Sequence, residues 1–372
     1  MLEPVRQYAF EKLDETSETE EAGGAHALYY LALAQRAGPR LRGPEQAVWL
    51  GRLDTELGNL RAAIRWALDH GEVEEVARTA RTSWSFWWLR GHAGEGRRWV
   101  EETLARGTDL SDFTRGRLLF IASTLAHGRS DWEASRALAE EGLALCRRVD
   151  DQEGVALALG SAGISALGQG RREEGLALLE ESMDLGLKLE QREGPSILSS
   201  YAASVLLARG DFTRARELAE RGLALAREIE VGIGAFLALH TLAQVALAEG
   251  DLDNAVRLYR EGLSLSVEIG DDSSVAVYLE GLANVAASRG ELVLAARLWG
   301  AAEALLERIE VIAYVQAPDR AVQASQVAAA RERLDREAWE RAWAEGRTMR
   351  REAALEEALS GDRSQALPAA DP

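Results

Sequence analysis

The sequence predicts an all-α protein, a right-handed superhelical solenoid of stacked helical hairpins. Three observations carry that prediction: a composition of strong helix formers, an internal period of forty residues, and a glycine-centred turn inside each repeat. The 372 residues are 47% hydrophobic and 28% charged, with only 7 prolines. Ala, Leu, Glu and Arg dominate, which favours helix almost throughout.

The period is visible in SDWEASRALAEEGLALCRRV (130–149), GRREEGLALLEESMDLGLKL (170–189), GDFTRARELAERGLALAREI (210–229), GDLDNAVRLYREGLSLSVEI (250–269) and GELVLAARLWGAAEALLERI (290–309). Each begins forty residues after the last, without an insertion. One column holds Leu138, Leu178, Leu218, Leu258 and Leu298; a second holds Leu145, Leu185, Leu225, Leu265 and Leu305; a third holds Val149, Leu189, Ile229, Ile269 and Ile309. Such self-similarity marks a repeat architecture. The segment ahead of each glycine, as in LALHTLAQVALAEG (237–250), is also apolar at helical spacing. Small residues recur there at Ser123, Gly163, Ala203, Ala243 and Ala283. Each unit is therefore helix, tight turn, helix: small residues let the helices approach, and glycine gives the turn its backbone freedom. Neither helix can bury its apolar face alone, so neighbouring hairpins must stack.

Before residue 114 the repeat degrades. DTELGNLRAAIRWALDHGEVEEVARTA (54–80) is a helix–turn–helix with Gly71 at its turn. SWSFWWLRGHAGEGRRW (83–99) then holds four of the ten tryptophans. At an offset of 39, Trp99 falls on the Leu138 column, and Trp84 and Trp87 fall on the small-residue columns of Ser123 and Ala126. The stretch is expected to be a structural wedge, with Trp88 alone facing the groove. The predicted division is an N-terminal helical segment (1–45), degenerate hairpins (46–113), a regular array (114–310), a helical cap carrying Trp339 and Trp343 (311–360), and a disordered tail (361–372).

GDLDNAVRLYREGLSL (250–265) resembles the tetratricopeptide repeat, with Ala255, Tyr259 and Gly262 on that family's signature positions. The forty-residue period exceeds the family's usual 34, which implies longer helices or loops. Four flanking stretches widen the resemblance: LEPVRQYAFEKL (2–13), LDTELGNLRAAIRWAL (53–68), FWWLRGHAGEGRRWVEETL (86–104), and ARLWGAAEALLERI with AWERAWAEGRTM. Together they look like the C-terminal half of LuxR- and AfsR-type, MalT-like bacterial regulators of the STAND class, and they span nearly the whole chain. Glu56 to Arg61 (ELGNLR) is the most specific piece. Complete members join a P-loop ATPase, a winged-helix segment and a helical repeat arm, often with a separate DNA-binding domain. The resemblance places residues 2–13 at the end of the winged-helix segment, just after the ATPase. No G-x-x-x-x-G-K-S/T motif and no evident DNA-reading helix-turn-helix occur in this chain, so it is expected to carry only the sensor and coupling arm. The competing expectation is a free-standing scaffold for complex assembly, unrelated to transcription.

Other chemistry finds little support. A net charge of −18 argues against nucleic-acid binding, which needs a basic face. No apolar run approaches a membrane span and no signal core opens the chain, so a cytoplasmic home is expected. Cys146 is the sole cysteine, which excludes an internal disulfide or a multi-cysteine metal site. His26, His70, His92, His127 and His240 are scattered singly, without metal-ligand spacing. GHAGEG (91–96) follows a tryptophan-rich helix rather than a strand, unlike a phosphate loop. The glutamate pairs 140–141, 173–174 and 180–181 sit in surface phases of the repeat. The expectation is a non-enzymatic protein with no cofactor and no metal.

In tetratricopeptide arrays the first helix of each unit lines the concave face. That resemblance places Phe120, Gly160, Ser200, His240 and Glu280 in one groove column, and Thr124, Ile164, Ser204, Gln244 and Asn284 in its partner. Ser200, Ser204, His240, Gln244, Glu280 and Asn284, with Trp88, are the expected contacts. The ladder has one potential anion and no fixed cation, which suits a polar small molecule or a neutral-to-basic peptide or protein segment.

Overall fold

The computed structural model describes residues 19–43, 45–229, 232–308 and 317–360, the last with side chains from residue 322 to residue 359. The segment 2–13 and the tail 361–372 lie outside the described residues. The described chain opens with α1 (Thr19–Ala37), a 3-10 turn (Gly38–Leu41), α2 (Gln46–Thr55) and α3 (Leu57–Asp69). Six hairpins follow: α4 (Val73–Leu89) with α5 (Ala93–Arg106), α6 (Asp112–His127) with α7 (Trp132–Arg148), and α8 (Gln152–Gly168) with α9 (Arg172–Lys188). Next come α10 (Glu193–Ala208) with α11 (Phe212–Glu228), α12 (Gly232–Ala248) with α13 (Leu252–Ile269), and α14 (Asp272–Arg289) with α15 (Leu292–Leu306). The chain closes on α16 (Ala317–Glu332), α17 (Arg336–Thr348) and α18 (Arg351–Ser360). No helix among the described residues is long and apolar enough to cross a membrane.

The turns explain the period. Residues with left-handed φ stand at Ser130, Asp150, Gly170, Glu190, Gly210, Gly250, Gly270 and Gly290, so the chain reverses every twenty residues. At 170 the amide of Arg171 donates back to the Ala166 carbonyl at 2.8 Å, and Asp211, Asp251 and Glu291 repeat that bond forty residues apart. This is the left-handed helix stop that glycine permits without a Cβ clash. The aspartate after it starts the next helix. Asp211 and Asp251 accept from the backbone amides of Arg214 and Asn254, satisfying donors that a helix start leaves bare. Gly91 takes the turn position that Ser130 takes 39 residues later, so the tryptophan-rich hairpin joins the array one residue short.

The first helices of successive hairpins (α4, α6, α8, α10, α12, α14) touch one another, while each second helix packs on the first helices around it. That asymmetry curves the array with the first helices inside. The deepest contacts belong to small residues: Ser123, Ala203, Ala243 and Ala283 are fully buried on the inner layer. Opposite them lie Ala139, Leu179, Ala219, Tyr259 and Trp299, also buried. The leucines most visible in the sequence sit beside this seam. Leu138, Leu178 and Leu218 are half-buried, and Val149 and Leu189 are 40% and 38% exposed. Close helix approach leaves room at the seam for small side chains, so larger ones in the first units cover the joins instead.

Both ends are fastened to the array. At the N-terminal end, Arg90 Nη1 donates to the Gly270 carbonyl at 2.7 Å and Arg90 Nε meets Asp54 at 2.8 Å, while Arg42 pairs with Glu193 at 3.1 Å. These contacts bring α2 against α13 and close the superhelix on itself. At the other end α17 lies across α15, with Gly300 against the Trp343 carbonyl and Gly346 against the Arg297 carbonyl.

Candidate functional site

The superhelix holds a half-open cavity of about 760 Å³ between its first helices. Its walls come from α4, α6, α8, α10 and α12, so residues far apart in sequence face one space. The rings of Trp84, Trp88, Phe113, Phe120 and Tyr201 supply one part of the lining, and Ile164, Leu198, Ile233 and Leu237 supply aliphatic surface. Trp84 meets Phe120 edge-on at 6.0 Å. Trp88 meets His127 edge-on at 4.8 Å, and Trp132 stacks on that imidazole at 6.1 Å. The volume falls in the range of small-molecule sites, which are mostly apolar with a few placed polar groups.

Four arginines also line it, an unusual concentration in a chain of net charge −18. Three are held by carboxylates. Arg117 binds Asp151 at 2.6 and 2.8 Å and Glu153 at 2.8 Å. Arg42 pairs with Glu193, and Arg192 with Glu228 at 3.2 Å. Arg81 differs: it stacks on Phe113 at 5.4 Å and reaches Thr114 Oγ1 only at 3.4 Å. His127 is the other unsettled polar group. It is 6% exposed, neither ring nitrogen has a hydrogen-bond partner, and burial pushes its pKa down to about 4. The imidazole is therefore neutral at pH 7.

Of the residues singled out from the sequence, Trp88 lines this cavity and the polar ladder does not. Ser200 is buried, Ser204 donates to the Tyr201 carbonyl at 2.8 Å, and Gln244 and Glu280 are half-buried farther along the array. His240 packs on Tyr259 at 5.9 Å and Tyr278 at 6.0 Å, where burial lowers its pKa to about 4. Asn284 donates to Gln323 at 2.8 Å and accepts from the Trp299 indole at 3.1 Å, tying α14 to the cap and to α15. Ser204, His240 and Asn284 thus make contacts within the protein, while the buried Ser200 hydroxyl has no hydrogen-bond partner among the described residues.

The wedge reading of the tryptophan stretch needs one correction. Trp87 is buried over Gly96, where an added Cβ would stand 2.8 Å from its own Cβ. Trp84 occupies a position where later units carry Ser or Ala, and the seam has no room for an indole. It stays half-buried on the cavity wall. Arg81 and His127 carried no sequence signal: a lone arginine one turn before Trp84 and a lone histidine at a helix end look like many others. Phe120 and Ile164 were legible, since they lie on the predicted groove columns.

Among the described residues no group of three or more His, Cys, Asp or Glu could hold a metal ion. Cys146 is buried, and that burial pushes its thiol up to about 11, away from the thiolate a nucleophile needs.

Residues 195–266 match the tetratricopeptide repeat family. The chain is 31% identical over 178 residues to candidate HTH-type transcriptional regulators of Mycobacterium tuberculosis and Mycobacterium bovis. That match covers 45% of this chain and 20% of each relative, so the chain spans about a fifth of their length. Among solved structures, a Rap protein complexed with competence and sporulation factor aligns with TM-score 0.52 at 14% identity, over 88% of this chain and all of that one. A Rap conjugation gene regulator bound to a peptide aligns with TM-score 0.53 at 10% identity, covering 82% of this chain and 98% of that one. A STAND protein with a tetratricopeptide repeat sensor, from Pyrococcus horikoshii, aligns with TM-score 0.50 at 11% identity, covering 92% of this chain and 54% of that one. At these identities the structural likeness is one of fold. The chain is an all-helical solenoid of tetratricopeptide-like repeats, similar over part of its length to bacterial transcriptional regulators.

Proposed function

We propose that this chain is a non-enzymatic, cytoplasmic sensor and protein-interaction arm, of the kind that LuxR/AfsR-type STAND regulators carry. The observation that carries the reading is the half-open concave cavity, walled by five inner helices, with the Arg42–Glu193 ion pair on its lining. An occupant would touch hairpins up to about four repeats apart, so its binding energy favours one curvature of the solenoid over others. A change in curvature can then be passed to an attached or associated ATPase or DNA-binding module. Similarity to HTH-type regulators, and the fold shared with Rap proteins and a STAND sensor, support this reading. The occupant is a small ligand, a peptide or a protein segment. Trp88 is its contact among the residues chosen from sequence, and the ladder from Ser200 to Asn284 would meet a partner extending toward the cap.

Two observations test the proposal. The coding DNA upstream of Met1 should continue in frame into a P-loop ATPase, or lie beside a gene for one. Affinity capture from cells encoding the chain should recover a protein with an ATPase or DNA-binding domain, and an Ile164→Trp variant that fills the cavity should recover less of it. Capture of assembly partners only, with no regulator component, would favour the free-standing scaffold. Equal capture by both chains would remove the cavity from the function.

A further inference from the structure

We propose that the concave cavity binds a small molecule that joins an apolar body to a single carboxylate, with Arg81 as the partner of that carboxylate. The inference deepens the sensor reading above and rests on it. The groove ladder favoured a neutral or basic occupant; the cavity lining points the other way.

Charge complementarity is the first argument. Arg42, Arg117 and Arg192 have their charge met by Glu193, Asp151 with Glu153, and Glu228. Arg81 lines the same space, is half-buried, and has no carboxylate partner among the described residues. A guanidinium held part-way out of water without an anion is costly, and its planar fork matches a carboxylate. Its stacking on Phe113 holds the fork in place and limits the ordering cost of binding.

The second argument is independent of Arg81. His127 lies on the cavity wall, almost completely buried, with both ring nitrogens unpartnered. Such groups are rare in a native interior and call for a partner that the protein alone does not provide. The neutral imidazole, packed on Trp88 and Trp132, holds one donor and one acceptor sealed from solvent, so a small polar group of the ligand reaches them only as a neighbouring wall side chain moves aside. The remaining wall is mostly rings and aliphatic chains, broken by Ser85, Thr124, Ser161, Ser182, Glu190 and Gln191. The volume, about 760 Å³, suits a molecule of ordinary metabolite or drug size. A half-buried cation with no ion pair among the described residues and a mostly apolar wall favour an amphipathic monoanion over a sugar, a nucleotide or a polycation; Glu190, the other lining charge with no ion pair, is exposed to solvent.

The test uses the full chain with indole-3-acetate, 4-phenylbutyrate and decanoate as probes, each beside its neutral amide. Binding is followed by calorimetry and by quenching of the wall tryptophans. The acids should bind at least tenfold more tightly than their amides. Arg81→Met should erase that preference while leaving amide binding unchanged, and Arg81→Lys should keep part of it. Ile164→Trp should abolish both. Helicity and melting of each variant are measured alongside, and Arg81→Gln replaces Arg81→Met should that chain fail to fold. Equal binding of acids and amides, or an undiminished preference in Arg81→Met, would overturn the proposal. So would cavity-dependent binding of peptides with no binding of the acids; that outcome leaves the sensor reading standing and shows the ligand class to be wrong.

Discussion

The two halves of the array obey one repeat and differ in where their large rings lie. Toward the N-terminus the inner helices carry Trp84, Trp88, Phe120 and Ile164 around an open space of about 760 Å³. Toward the C-terminus the large rings lie inside the array instead: Tyr259 and Tyr278 are buried between α13 and α14 and meet at 6.2 Å, with His240 packed against both. Each tyrosine rests over a glycine of the facing helix, Tyr278 over Gly262 and Tyr259 over Gly281. The Tyr278 hydroxyl then donates to the Phe236 carbonyl. The same architecture therefore lines a pocket or fills a seam according to whether large side chains face the concavity or point across to the facing helix.

The largest expected effect empties that seam. Tyr278→Ala removes a fully buried ring and orphans a carbonyl, and should cost about 3–5 kcal/mol in a urea melt. Trp84→Ala, on the open half, loses a ring that already faces the cavity on one side, and should cost roughly 1–2 kcal/mol. Equal costs would mean that the two halves are packed alike.

Next in size is a dependence on pH. His127 and His240 have folded pKa values of about 4, below the ordinary 6.5. Between those values the unfolded chain takes up protons that the folded chain refuses, so stability falls as pH drops from 6.5 toward 4 and levels off below. For His127 the loss should reach about 2 kcal/mol at pH 5; for the part-exposed His240 it should be smaller. Melts of His127→Phe across pH 5 to 7 should show a visibly shallower slope than the native chain, and an unchanged slope would refute the assignment.

A smaller effect releases the Arg90 latch. Arg90→Ala removes the contacts to Asp54 and the Gly270 carbonyl, and should cost about 1 kcal/mol. Amide exchange should quicken around residues 270–274 while the α8–α9 hairpin stays protected. Uniform quickening would mean that the latch supports the whole array. The smallest effect is a gain: Ser130→Gly relieves a left-handed residue at φ 59° and should add about 0.5 kcal/mol.

Much of the fold was legible. Five copies at a spacing of forty residues fix the number of regular units, and glycine followed by aspartate marks where one helix stops and the next is capped. The conspicuous leucine columns were a weaker guide to the core than the inconspicuous Ala, Ser and Gly columns beside them, because the closest helix contacts exclude bulk. The site was legible only in part. Trp88 was placed on the cavity side and Phe120 and Ile164 on its columns. Asn284 and His240, chosen as groove contacts on the same phase, meet Gln323 and the two tyrosines instead.

By itself the sequence determined the period, the hairpin, the turn chemistry and the layer of first helices that faces inward, because all of these follow from spacings within forty residues. The tertiary structure decided where that inner layer is open. Openness depends on side chains brought together from distant units and on closure by Arg42 with Glu193 and by Arg90 with Gly270. No local pattern encodes such meetings, since they arise only when the curvature of every intervening hairpin has been added up.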